Sequence, residues 1–103
     1  MSTTFRIVAN SSGNEVCFAF HGNIDAQAET LLKELPLKVR QPLVTFDFAQ
    51  TGRINSMGIA FLLRCLKKIR EEKKAEVRLK ELNQTNTLLF RMTGIFLLAT
   101  PMK

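Results

Sequence analysis

Few side chains in this 103-residue sequence can do chemistry. His21 is the single histidine, and the two cysteines, Cys17 and Cys65, lie far apart in the chain. A zinc site needs about four nitrogen, sulfur or carboxylate ligands, so this set predicts no metal centre. One histidine at a strand end also builds no Ser-His-Asp or Cys-His arrangement. Asp25 and Asp47 are two carboxylates that could approach as an acid-base pair. Asp25 equally suits the start of a helix, where a carboxylate complements the dipole, and Asp47 equally suits a strand end. Gly52, Gly58 and Gly94 are isolated, and no Gly-x-x-x-x-Gly-Lys phosphate loop occurs. The expectation is a protein that is not an enzyme and carries no cofactor.

Asn55-Ser56 is the pair that stands out, because it opens the clearest helical pattern in the chain. As residue types these two are N-cap formers, whatever else they do. Past them, Ile59, Leu62, Leu63, Leu66 and Ile69 repeat at helical spacing, which predicts a helix from Ser56 to about Lys73. Met57, Phe61, Arg64 and Lys68 fall together on the opposite side. Two readings of that second face stand. It is a docking patch for a partner beside Ser56, or Phe61 tucks against a neighbouring loop beside Cys65.

The elements that position these residues follow from pattern and turn chemistry. Phe5–Ala9 and Glu15–His21 read as strands of an opening hairpin around Ser11-Ser12-Gly13-Asn14. Gly22-Asn23-Ile24-Asp25 breaks the second strand, and Ala26–Leu35 reads as a helix ended by Pro36. Leu43–Phe48 reads as a buried strand. Ala49–Asn55 reads as a loop before the long helix. Glu76–Leu82 is a further strand, Asn83 caps a helix over Gln84–Met92 that ends at Thr93-Gly94, and Ile95–Ala99 is a last short strand. This order predicts an α/β fold with a mixed open sheet: a hairpin first, then parallel strands joined by right-handed helical crossovers. Functional surfaces of such sheets lie beyond the carboxyl ends of the strands, which points to residues 22–25 and 50–58.

Composition sets the outer bounds. Hydrophobic residues make up 46% and charged residues 23%, which suits one packed domain over residues 1–103 and argues against disorder. Eight Phe with no Trp or Tyr place the aromatic surface in the core or in a docking face. No apolar run nears the roughly 18 residues of a membrane span, and the start lacks a signal-peptide pattern, so the expectation is a cytoplasmic chain without membrane insertion. Both cysteines are then expected as reduced core thiols. The net charge is +6, but the basic residues are dispersed, and Glu71, Glu72 and Glu76 interrupt the densest group. A solvated helix face explains that group better than a nucleic-acid surface, and no nucleic-acid partner is expected.

Three short motifs carry a family resemblance across nearly the whole chain. Asp47 ends a buried strand, and Ile54-Asn55-Ser56-Met57-Gly58 then opens a long helix. This resembles the Asp-Ser-Ser-Gly signature of the STAS domain, the fold of bacterial anti-sigma factor antagonists. Gly22-Asn23-Ile24-Asp25 resembles that family's Gly-x-Leu/Ile-Asp, and Met92-Thr93-Gly94-Ile95 resembles its Leu-Thr-Gly-Leu. The resemblance implies a STAS-like fold and a phosphoacceptor at Ser56. Asp25, Asn55, Met57, Gly58, Phe61 and Arg64 are the expected partner-binding residues around it. It also implies partners: a switch-protein serine kinase related to anti-sigma factors, and a matching phosphatase. A phosphate at Ser56 would add nearly two negative charges and break that interface. This chain departs from the pattern at Asn55, where the family has Asp, and at Met57, where it has Ser. STAS domains also serve as subunits of membrane transport assemblies. The alternative is therefore a constitutive subunit that binds the ATPase of an ABC-type, lipid-transporting complex.

Overall fold

The computed structural model describes residues 4–102. β1 (Arg6–Ser12) and β2 (Glu15–Ile24) form an antiparallel hairpin, paired from Arg6↔His21 to Ser12↔Glu15. Gly13 takes a φ of 62° at the tip, in the left-handed region that favours glycine. A 3-10 turn (Ala26–Ala28), α1 (Glu29–Glu34) and a second 3-10 turn (Leu35–Lys38) follow. Then come β3 (Leu43–Asp47), β4 (Thr51–Ile54), α2 (Ser56–Glu72), β5 (Glu76–Lys80), α3 (Gln84–Thr93), a 3-10 turn (Ile95–Leu97) and β6 (Thr100–Pro101). The strand order is β1-β2-β3-β5-β6, with β4 paired separately to β2. Every pairing after the hairpin is parallel. This is the expected α/β mixed open sheet.

Alternation along the strands decides which face is core. Val16, Phe18 and Phe20 of β2 are buried while Glu15, Cys17, Ala19 and His21 between them are half-buried. Val44 and Phe46 of β3 and Val77 and Leu79 of β5 continue the buried face. Phenylalanine fills its centre: Phe20 meets Phe46 at 4.8 Å and Phe48 at 5.3 Å between ring centroids, and Phe48 meets Phe90 of α3 at 5.3 Å. All these contacts are edge-to-face, the arrangement that the ring quadrupole prefers. Every Phe except Phe96 is buried, so the aromatic residues build the core.

The structure corrects several boundaries. The break expected at Gly22 does not end β2. Gly22 has a φ of 96°, its amide donates to the Gln50 carbonyl (3.1 Å), and the strand continues to Ile24 with a register shift between Gly22 and Ile24. The expected loop 49–55 contains β4, which pairs with that extension. Pro36 does not stop helical structure either. It sits at the start of the second 3-10 turn, where its missing amide costs nothing. Ile95–Ala99 is not the last strand, because Gly94 at φ 85° ends α3 in a left-handed cap and the chain turns through Ile95–Leu97 before β6. Cys65 is a core thiol, but Cys17 is half-buried on the other sheet face, so only one of the two expectations for cysteine holds. Among the described residues no helix is long and apolar enough to cross a membrane.

Candidate functional site

The site is built where β2 and β4 end side by side. Ile24 pairs with Ile54, and the Asn55 amide donates to the Ile24 carbonyl at 3.2 Å. The next residue on each strand is a cap. Asp25 accepts the Gln27 amide on Oδ1 (3.0 Å) and opens the path to α1. Asn55 accepts the Gly58 amide on Oδ1 (2.9 Å) and opens α2. Two helical starts therefore lie together at the carboxyl edge of the sheet, the region that the topology favours for function.

Ser56 is the first residue of α2, and it is exposed. With Gly58 bonded to the Asn55 side chain and Ile59 bonded to the Asn55 carbonyl (3.0 Å), the amides of Ser56 and Met57 have no partner within the helix. They carry the positive end of the dipole of a 17-residue helix. An anion attached to Ser56 would lie against that end, where it is stabilised and the helix is undisturbed.

Gly58 is fixed by geometry. A Cβ at this position would collide with the Ile24 carbonyl oxygen, so the first turn of α2 can lie on the end of β2 only with glycine there. A Cβ at Gly52 would meet the end of the Asn23 side chain, which would have to move to admit it. Asn23 Oδ1 accepts the Arg53 amide at 2.8 Å, and Thr51 Oγ1 donates to the Phe20 carbonyl at 3.2 Å. These bonds hold the loop that presents Ser56. Asn23 and Thr51 fall within the segments 22–25 and 50–58 to which the sequence points, but neither stands out there as a site residue. Their signal was faint: one asparagine inside a turn tetrapeptide, and one threonine in a segment of four residues.

The structure brings Asp25, Asn55, Ser56, Met57 and Gly58 to one rim. Met57 is 50% exposed, a large apolar side chain facing water beside Ser56. Arg64 is exposed farther along α2. Phe61 is the correction: at 8% exposure it is buried within its own domain, so it is no part of an exposed patch with Met57. The apolar face of α2 is wider than one stripe, with Phe61 and Cys65 buried as well as Ile59, Leu62, Leu66 and Ile69. The reason is that α2 packs against α1 as well as the sheet. Of the two readings offered by the sequence, burial favours the one in which Phe61 tucks in beside Cys65, with α1 in place of the loop.

The remaining chemical side chains are committed elsewhere. Asp47 accepts the Ala49 amide (2.9 Å) and lies 4.0 Å from Lys80 Nζ, while Asp25 caps its own turn, so the two carboxylates serve separate local structures. Arg6 Nη2 lies 3.4 Å from His21 Nδ1 across the hairpin. Burial pushes the Cys65 thiol up to about 12, and burial together with the Asp47 charge raises Cys17. Neither thiol is activated as a nucleophile. Among the described residues no group of three or more His, Cys, Asp or Glu side chains could hold a metal ion.

A mixed sheet with this hairpin, this strand order and a serine opening the long helix is the STAS fold of anti-sigma factor antagonists. Solved structures bear this out. An anti-sigma factor antagonist from Mycobacterium paratuberculosis superposes with a TM-score of 0.77 over 98% of this chain and 89% of its own, at 13% identity. The anti-sigma factor antagonist SpoIIAA in its unphosphorylated form gives 0.68 over 96% and 87%, at 14% identity. The Bacillus protein SpoIIAA in its phosphorylated form gives 0.64 over 96% and 91%, also at 14% identity. No family model matches the sequence, and no curated protein matches it. At these identities the likeness is one of fold.

Proposed function

We propose that this chain is a phosphorylation-sensitive protein-binding adaptor of the anti-sigma factor antagonist kind, acting in the cytoplasm and catalysing nothing itself. The observation that carries the reading is Ser56: an exposed hydroxyl on the first residue of a long, capped helix, beside an exposed Met57. Unmodified, the rim formed by Asp25, Asn55, Ser56, Met57 and Gly58 docks on a serine kinase related to anti-sigma factors, with Arg64 extending the surface along α2. The kinase supplies nucleotide and metal and transfers the terminal phosphoryl group to Ser56 Oγ. The phosphate sits on the helix dipole without unfolding the domain, and its charge and bulk expel the partner. A phosphatase restores binding. That a protein of this fold has been solved in both phosphorylated and unphosphorylated forms supports the reading.

One observation favours a second reading. Asn55 places no carboxylate beside Ser56, and the neighbouring Met57 is an apolar group suited to a permanent interface. On that reading the chain is a constitutive STAS subunit bound to the ATPase of a membrane transport complex. Incubation with a kinase encoded nearby, ATP and magnesium, followed by intact-mass measurement, separates the two. One phosphate on the wild type and none on Ser56→Ala supports the switch. Stable binding to a transporter ATPase with no phosphate under any partner kinase supports the constitutive subunit.

A further inference from the structure

A cavity of about 140 Å³ opens between α1 and α2, apart from the Ser56 rim. Its inner lining is apolar: Leu32, Pro36, Phe61 and Cys65, all buried. The Cys65 thiol is neutral there, its ionisation suppressed by burial. The mouth is charged, with Lys33, Arg64 and Lys68 set against the single carboxylate of Glu29. None of these four is in an ion pair, since the only one among the described residues joins Lys80 and Asp47. The floor is the right size for one ring, because an apolar cavity of about 150 Å³ is known to hold benzene. The mouth has an excess of cationic donors suited to a carboxylate or phosphate.

We infer that this cleft binds a small amphiphilic anion, a carboxylate or phosphate head on a ring-sized apolar body. The body lies on Leu32, Pro36, Phe61 and Cys65, and the head takes hydrogen bonds from Lys33, Arg64 and Lys68. The cleft explains why α2 turns a phenylalanine and a cysteine toward α1 and surrounds them with unpaired cations. The inference stands whether or not Ser56 is phosphorylated.

The test is a ¹H–¹⁵N NMR titration of the unmodified protein with 3-phenylpropanoate, with 3-phenylpropanamide as the neutral control. The predicted result is saturable shifts confined to amides of residues 31–35 and 61–68, with the amide analogue at least about tenfold weaker. Lys33→Glu and Lys68→Glu, both at exposed positions, are predicted to keep the native spectrum and each to weaken the anion by about threefold to tenfold. A cavity-filling Cys65→Leu variant that keeps its native spectrum is predicted to lose binding. Equal affinity for anion and amide would overturn the proposal. So would shifts scattered over the basic surface and indifferent to Lys33→Glu and Lys68→Glu, or no saturable shift at about 10 mM ligand.

Discussion

Gly58 lies against the carbonyl of Ile24 so closely that a methyl group added to it would overlap the carbonyl oxygen. This contact joins the first turn of α2 to the last residue of β2. The same carbonyl accepts the Asn55 amide at 3.2 Å, so one backbone group fixes both the cap and the helix start that present Ser56. The exposed serine stands on a rigid seat.

Gly58→Ala tests that seat. Alanine is a better helix former than glycine by about 1 kcal/mol, so an unconstrained site would gain stability. Here the overlap with a backbone atom forces α2 to move, and the predicted outcome is a loss of about 2–4 kcal/mol. Urea denaturation measures it. A higher midpoint for Gly58→Ala would contradict the close packing.

Asn55 divides into two roles that substitution can separate. Asn55→Ala removes the acceptor of the Gly58 amide and is predicted to cost about 1 kcal/mol. Asn55→Asp keeps the acceptor and adds a charge that favours the helix start, for a gain of about 0.3–1 kcal/mol at low salt. Thermal unfolding of both variants at two salt concentrations checks the pair. The aspartate gain should shrink as salt rises.

Met57 and Phe61 should behave oppositely although they lie one helical turn apart. Phe61→Ala empties buried volume between α1 and α2 and is predicted to cost about 3–5 kcal/mol, toward the lower end because a cavity already adjoins it. Met57→Ala should leave stability within about 0.5 kcal/mol and weaken partner binding instead. Denaturation curves and partner affinities for the two variants make the comparison.

The cysteines predict a pH dependence. The Cys65 thiol is raised from its usual 9.0 to about 12 in the folded protein, so the native state holds a proton that the unfolded chain releases sooner. This contribution to stability is complete below pH 9.0 and is lost as pH rises toward about 12. Stability of the wild type should therefore fall across that window more steeply than that of Cys65→Ala. In thiol labelling, the half-buried Cys17 should react first, and Cys65 only on unfolding.

Much of this was legible in the sequence, for physical reasons that particular residues show. Period-two alternation in Glu15–His21 and helical spacing from Ile59 to Ile69 define elements because burial imposes those periods. Asn83 and Gly94 mark the ends of α3 through their side-chain cap and left-handed backbone. What escaped depends on tertiary pairing. β4 spans only Thr51–Ile54 and is a strand because β2 runs past Gly22 to meet it. The two-residue β6 likewise exists only beside β5. Phe61 was ambiguous because position on a helix says which residues share a face, and only the packing of α1 says that this face is covered. Gly58 stood out as a glycine at a helix start, and only the Ile24 carbonyl shows what it must avoid.

The most direct test of the central claim is the affinity of the partner kinase for two purified forms of this chain, unmodified and carrying phosphoserine at Ser56. The account predicts that phosphorylation weakens binding by at least about a hundredfold, equivalent to about 2.8 kcal/mol, while the unfolding midpoint of the free domain stays unchanged or rises. Equal affinities for the two forms would contradict it.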